Sequence, residues 1–542
     1  MRKIYATLAL ALLAALASAQ VKDANGVNDT TVDNYKKEQA VASKYARPVP
    51  GSSRKGQNPV LFLVGNSTMR TGTKGDGGNG QWGWGAFAQQ WFDTTRITVE
   101  NHALGGTSSR TFYNQFWPEV LAGVQAGDYV LIELGHNDNG PLDTFTARNS
   151  LHGIDPDTCA HVTLHDCRNP QWNGREEVVY SYGQYMRMFI NDVRAKGAFP
   201  ILASLTPRNA WDNATTITRK LTSFTPWQQA VAAEMQVPWI DLEGVSASRL
   251  EQFGHWKTDY MFYYVDKIHT SRFGAENNAY SAALAIQQCA DCPLKDYLVN
   301  LTPIHVEVNR QPGKKVLWLC GDSTCKNKDD DPNGMWGWGS QAYTVFDSAT
   351  VTFQNEAMAG RSCRTYLNER RWEKVYNSLQ PGDIVFLQFG HNDVGDIDKG
   401  KERGEIAMGT DSTHVYKLES TGEYEAVYSF GWYLKKMIQD AREKGATPIL
   451  LSLTPRNEWP GGKIERRNDS YGLWYRLVVE ATGVPFIDVH NITADFLDQI
   501  GQEAARAYYN HDHTHTSLKG AQRNAQSVAQ GMRALGYDRL LK

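Results

Sequence analysis

The stretch FLVGNSTMRTG, from Phe62 to Gly72, is an apolar run that stops at Gly65-Asn66-Ser67-Thr68. It recurs as LWLCGDSTCKN, from Leu317 to Asn327, with Asp322 where the first copy has Asn66. A short, unbroken apolar run bounded by glycine and polar residues reads as a strand buried on both faces, as in a parallel sheet. VLFLV (60–64), YVLIELG (129–135) and FPILASL (199–205) all have this form. Between them, SYGQYMRMFINDVRAKG has helical spacing and stops at Gly197, a C-terminal signal. RFGAENNAYSAALAIQQ reads as a closing helix. Strands alternating with helices predict an α/β domain of three layers, α/β/α, around a central parallel sheet. Sites in such sheets form at the C-terminal ends of the strands, and the serine of the opening stretch stands at one.

The rest of the chain repeats in the same way. SYGQYMRMFINDVRAKGAFPILASLTPRN (Ser181–Asn209) matches SFGWYLKKMIQDAREKGATPILLSLTPRN (Ser429–Asn457) without a gap. WGWG occurs at Trp82 and at Trp336, and NHALGGTSSRTF (Asn101) matches NEAMAGRSCRTY (Asn355). IELGHND (Ile132) matches LQFGHND (Leu387), and VDKIHTSRFGAENNA (Val265) matches HDHTHTSLKGAQRNA (His511). The matches keep one order at an offset of about 250 residues, far too long for a solenoid, so they signal two whole domains of one fold. The expected organisation is a leader at 1–19, a polar lead-in at 20–57, a first domain at 58–303, a linker at 304–313 and a second domain at 314–542.

The first residues, MRKIYATLALALLAALASAQ, carry a basic start, an Ala/Leu run and Ala17-Ser18-Ala19. That is the form of a secretory signal peptide cleaved after Ala19, so a periplasmic or extracellular protein without a membrane span is expected. A net charge of -3 offers no basic surface for nucleic acid. Aromatic residues are plentiful, with 16 Trp and 25 Tyr, and suit either core packing or a sugar-binding cleft. No P-loop and no glycine-rich dinucleotide fingerprint follows a strand, and no cofactor is expected. Of seven cysteines, Cys159 and Cys167 bracket a short loop, as do Cys289 and Cys292, and either pair can bridge. Cys325 and Cys363 can pair as well, whereas Cys320 reads as a buried free thiol. Spacing alone does not fix the connectivity.

Four short blocks recur in order in each half. A strand delivers Ser67 (Ser323), a glycine-rich turn follows at Gly106 (Gly360), and Gly-His-Asn-Asp places Asn137 (Asn392) after the next strand. Near each domain's end comes Asp-x-x-His: Asp266 and His269, then Asp512 and His515. Acyl transfer needs these parts. A serine hydroxyl is a weak nucleophile until a base takes its proton, histidine is that base near neutral pH, and a carboxylate fixes its tautomer. The serine N–H, the glycine N–H and the asparagine amide can meet the oxyanion.

These blocks resemble the SGNH (GDSL-type) hydrolases, over both halves and thus nearly the whole mature chain. The resemblance implies a serine nucleophile, an Asp-x-x-His pair completing the triad, and an oxyanion hole from Ser, Gly and Asn. The wording GDST, NEAMAGRSCRTY, GHND and DHTHTSLKGA is similar to the rhamnogalacturonan acetylesterase branch. That branch implies a flavodoxin-like fold, hydrolysis of acetyl esters on an acetylated pectic polysaccharide, and a disulfide after Gly-His-Asn-Asp corresponding to Cys159–Cys167. The second domain has no cysteine in the matching insert. Another acetylated glycan such as xylan, or a lipid ester, is the alternative substrate. Asn66 raises a further alternative, a first domain that only binds sugar; the complete set of blocks after Ser67 speaks for a working site.

Arg110, Arg208, Arg364 and Arg456 are candidates for binding a uronate carboxylate, with a structural ion pair as the other reading. His511, His513 and His515 alternate as metal ligands would, but the first copy has Val265, Lys267 and His269 there, so no metal is assigned. His136 and His391 read as structural or rim residues, and the segments 73–80 and 326–334 as solvated loops beside the serines.

Overall fold

The computed structural model describes residues 47–70, 81–219, 223–263, 266–326, 335–422, 424–509 and 512–542. The expected leader, the lead-in up to residue 46, the loop 73–80 and all of 326–334 except Lys326 lie outside the described residues. The chain divides into two compact units, with the boundary between Leu301 and Thr302.

In the first unit the strands are β1 (Val60–Gly65), β2 (Thr98–Asn101), β3 (Tyr129–Glu133), β4 (Cys159–Thr163), β5 (Glu176–Tyr180), β6 (Phe199–Ala203) and β7 (Trp239–Ile240). Five of them form one parallel sheet in the order β2-β1-β3-β6-β7, while β4 and β5 make a separate antiparallel hairpin. Register is set by pairs such as Val64↔Ile132 and Gly65↔Glu133. All six residues of β1 are buried. Val60, Phe62 and Val64 pack into a core with Phe112, Trp117 and Phe189. Leu61 and Leu63 face a second core with Trp84, Ala279 and Ile286. One strand feeding two cores is the three-layer arrangement, and each large side chain buried there contributes about 1.5–3 kcal/mol. The layers are completed by α1 (Ser109–Gln115), α2 (Trp117–Gly123), α3 (Tyr182–Ala195), α4 (Phe224–Met235), α5 (Leu242–Met261) and α6 (Arg272–Gln288). The Ser181 hydroxyl caps α3 by accepting from Gln184 N.

The second unit repeats the plan with β8 (Lys315–Gly321), β9 (Val351–Asn355), β10 (Ile384–Gln388), β11 (Thr413–Lys417), β12 (Tyr424–Tyr428), β13 (Thr447–Leu451) and β14 (Phe486–Ile487). Its parallel sheet runs β9-β8-β10-β13-β14, the same order as the first, and β11-β12 is the counterpart hairpin. In both sheets the strand order reverses beside the serine-bearing strand, which opens a crevice between the carboxyl ends of β1 and β3, and of β8 and β10. The approach to each sheet is pinned alike: Arg54 forms a two-point ion pair with Asp128, and Arg310 with Asp383. Among the described residues no helix is long and apolar enough to cross a membrane.

The cysteine pairings are corrected. All seven cysteines are unbridged. Cys159 opens β4 and is exposed, whereas Cys167 lies beyond the other end of that strand, buried with Ala147 and Leu164. At about 3.3 Å per residue the extended strand holds the two apart. The Cys325 thiol instead donates to Gln388 Oε1 at 2.9 Å, Cys289 donates to Trp239 O at 3.4 Å, and Cys320 is a buried free thiol.

Candidate active site

Ser67 leaves β1 in a tight turn and is 5 % exposed. His269 Nε2 lies 2.8 Å from its Oγ, and His269 Nδ1 lies 2.7 Å from Asp266 Oδ2. The other Asp266 oxygen accepts the backbone N–H groups of Ile268 and His269, at 2.8 and 2.7 Å. The second unit has the same chain: His515 Nε2 to Ser323 Oγ at 2.9 Å, and His515 Nδ1 to Asp512 Oδ2 at 2.7 Å. Asp512 Oδ1 accepts Thr514 N and His515 N. The three-residue spacing thus lets one carboxylate bond both the ring and the backbone of its histidine. Burial pushes each carboxyl up, but the bonds from histidine and backbone outweigh it: Asp266 lies below the usual range and Asp512 at about 2. Both stay ionised wherever the histidine can act as a base.

Gly106 and Gly360 have φ of +76° and +79°, a left-handed geometry that glycine adopts freely. Asn137 Nδ2 donates to Thr107 O at 2.9 Å, and Asn392 Nδ2 to Arg361 O at 3.1 Å. Each asparagine therefore ties the end of β3 or β10 to its glycine turn and keeps a second amide proton for another acceptor. Two arginines absent from the sequence reading secure that turn. Arg148 donates to Gly106 O at 3.0 Å, and Arg403 to Gly360 O at 3.1 Å. The signal was there: each stands ten residues past the aspartate of its Gly-His-Asn-Asp block, 138 to 148 and 393 to 403.

The WGWG repeat also has a place. Trp84 N and Gly85 N donate to Thr68 O and Met69 O, both at 3.1 Å, while Trp82 N donates to Thr270 O at 2.9 Å. Thr270 follows His269, so WGWG ties the serine turn to the histidine loop. Trp338 N to Thr324 O and Trp336 N to Thr516 O do the same in the second unit. A Cβ on Gly83 would lie 2.3 Å from the Met69 carbonyl carbon, and one on Gly337 2.3 Å from Lys326 O. The backbones pass too closely for a side chain.

The four arginines divide. Arg110 is fully buried, bonded twice to Glu177 and to the carbonyls of Leu142 and Asn149. Arg364, 1 % exposed, donates to Ile397 O and Gly404 O. Both brace the segment after Gly-His-Asn-Asp from within, so the expectation that they bind substrate is corrected: neither guanidinium reaches a polysaccharide. Arg208 and Arg456 are half-buried on the loops after β6 and β13. The next residue of each loop joins the triad loop, Asn209 N to Lys267 O at 2.8 Å and Asn457 N to His513 O at 2.7 Å. His136 and His391 bond Thr206 and Thr454 through Nε2 and sit as structural residues. His513 pairs with Glu458 at 3.4 Å, and His511 lies outside the described residues.

A hydroxyl on a histidine that a carboxylate orients, beside a left-handed glycine turn and an amide, is equipped for nucleophilic acyl transfer. The family model described as GDSL-like Lipase/Acylhydrolase family matches the chain twice, at residues 63–276 and 319–523. A rhamnogalacturonan acetylesterase of Emericella nidulans is 31 % identical over 207 residues, 38 % of this chain and 80 % of that protein. Two Bacillus subtilis proteins are similar: the probable rhamnogalacturonan acetylesterase YesY, 29 % identical over 41 % of this chain and 93 % of its own length, and the rhamnogalacturonan acetylesterase RhgT, 28 % identical over 41 % and 90 %.

Proposed function

Because the chain belongs to the GDSL-like lipase/acylhydrolase family and is a carboxylic ester hydrolase, we propose that it removes acetyl groups from rhamnogalacturonan, with one working site in each unit. The observation that carries this is the Ser–His–Asp chain made twice with matching distances, 2.8 and 2.7 Å in one unit and 2.9 and 2.7 Å in the other. Ser67 or Ser323 attacks the acetyl carbonyl as His269 or His515 takes its proton. Asp266 or Asp512 holds the ring and stabilises the imidazolium. The oxyanion is met by the serine N–H, the Gly106 or Gly360 N–H and the Asn137 or Asn392 amide, and losing one such donor costs on the order of 3 kcal/mol. The imidazolium then protonates the departing sugar hydroxyl. Water, deprotonated by the same histidine, attacks the acetyl-serine and releases acetate, returning the serine.

The pectic substrate is supported by the names of the similar proteins. Arg208 and Arg456 are the guanidiniums we assign to a uronate carboxylate. Export through the leader at 1–19 suits a polysaccharide too large to enter a cell. The test is acetate release from acetylated rhamnogalacturonan beside acetylated xylan. The wild type is expected to prefer the first, and the Ser67→Ala/Ser323→Ala chain to release none; a preference for xylan overturns the substrate, and residual turnover by the double variant overturns the nucleophiles.

A further inference from the structure

The two serine turns rest on opposite chemistry. In the first unit Asn66 Oδ1 accepts the N–H and the hydroxyl of Thr68 at 3.1 and 3.0 Å, and that hydroxyl also lies 3.2 Å from Glu133 Oε1. Glu133, wholly buried, further accepts Trp84 Nε1 and Thr206 N, each at 3.1 Å. In the second unit Asp322 Oδ1 accepts the N–H and hydroxyl of Thr324 at 2.9 and 2.8 Å. The place of Glu133 is taken by Gln388, whose Oε1 accepts Trp338 Nε1 at 2.6 Å and whose Nε2 donates to Ser452 O at 2.6 Å. The first pair is thus amide and carboxylate, and the second is carboxylate and amide. Asn66 and Gln388 show that an amide fits either position. A buried charge is costly, so its presence at one of the two positions in each unit calls for a reason.

Asp322 holds the turn of Ser323, whose Oγ lies 2.9 Å from His515 Nε2, and Glu133 reaches through Thr68 the turn of Ser67, whose Oγ lies 2.8 Å from His269 Nε2. Burial pushes the Asp322 carboxyl up, while its bonds from Thr324 and the charge of His515 pull it down. We infer that Glu133 is the positioning residue of the first site, supplying from the end of β3 the negative charge that Asp322 supplies from the serine turn of the second. It anchors the turn through Thr68 and stabilises the imidazolium formed when His269 takes the serine proton. The inference rests on the proposed triads. Besides this carboxylate, the charged and titratable groups near the first site include Asp266 and, 3.6 Å from Glu133, His136; those near the second include Asp512, His391, His490, Asp393, Arg456 and Arg467.

The exchange is tested in chains with one site silenced, using 4-nitrophenyl acetate as the ester. In a Ser323→Ala chain, Glu133→Gln is expected to lower kcat/KM about tenfold, through kcat more than KM. Removing a carboxylate destabilises the imidazolium, so the acidic limb of the kcat/KM profile moves to lower pH. Adding Asn66→Asp restores the rate to within about threefold and returns the limb, as a transferred charge requires and a lost packing contact does not. The mirror pair, Asp322→Asn and then Gln388→Glu in a Ser67→Ala chain, gives the same loss and rescue, and decides the matter if Glu133→Gln does not fold by thermal melting. Losses that add instead of cancelling, or a Glu133→Gln profile unchanged in rate and limb, overturn the inference. A Ser323→Ala parent without turnover is a different failure: it removes Ser67 as nucleophile and leaves the mirror pair to test the charge.

Discussion

Asn66 is the residue on which the first site turns. It replaces an aspartate that holds the serine turn, and it performs that task with its carbonyl oxygen, at 3.1 and 3.0 Å from Thr68. The residues of the proposed triads could be picked out one by one, since each of the six lies in a block that recurs. The buried arginines were not: Arg110 and Arg364 sit in the same repeated block as the glycine turn, and only packing shows that their guanidiniums face inward. The ionisation of Asp512 gives a pH prediction. Its pKa is lowered from 3.8 to about 2, so its contribution to stability is present above pH 3.8 and is lost as pH falls toward 2. Asp512→Asn is therefore expected to melt below wild type at pH 6 and level with it near pH 2. A melting difference that persists at pH 2 contradicts the assignment.

At the scale of elements, strands and helices that carry the sheet could be read directly. The closing helix runs Arg272–Gln288, the stretch that reads as a helix in the sequence, because the pattern of its buried residues is a local property. The hairpins β4-β5 and β11-β12 were not read. β4 and β11 have only exposed and half-buried residues, with no apolar run, and their sequences differ between the copies, so neither an apolar pattern nor repetition marks them. WGWG was visible as a repeat but its role was not, since the bonds by which it joins the serine turn to the histidine loop are backbone to backbone. Gly83→Ala forces a methyl against the Met69 main chain and is expected to cost about 2 kcal/mol, read by thermal melting, with ester turnover falling as the serine turn shifts. Beneath the Gly-His-Asn-Asp block the units diverge again. Asp138 accepts from Ser109 and Ser150, whereas Asp393 stands in a buried cluster with Cys363 and Glu405. Burial first, and then their mutual repulsion, raises Glu405 well above the usual carboxylate range, while burial lifts Asp393 to about 6. Carboxyls raised on folding favour the fold at low pH, and that contribution is lost as pH rises through 6. Glu405→Gln is expected to raise the melting temperature at pH 8 and to gain little at pH 4; a gain of equal size at both contradicts a carboxyl raised by burial.

At the scale of the whole molecule, duplication explains both the length of the chain and the order of its motifs. Two sheets of one topology each bring their serine and asparagine to the same crevice, because the strand order reverses there. The proposed triads keep one geometry in both copies, while an amide and a carboxylate exchange places between Asn66/Glu133 and Asp322/Gln388. If both units hydrolyse esters, acetate release divides between the two single variants. Ser67→Ala and Ser323→Ala are each expected to retain a fraction of wild-type turnover on acetylated rhamnogalacturonan, with the two fractions adding to the wild-type rate. If Ser323→Ala abolishes turnover and Ser67→Ala leaves it unchanged, the first unit is not a working esterase and the account is contradicted.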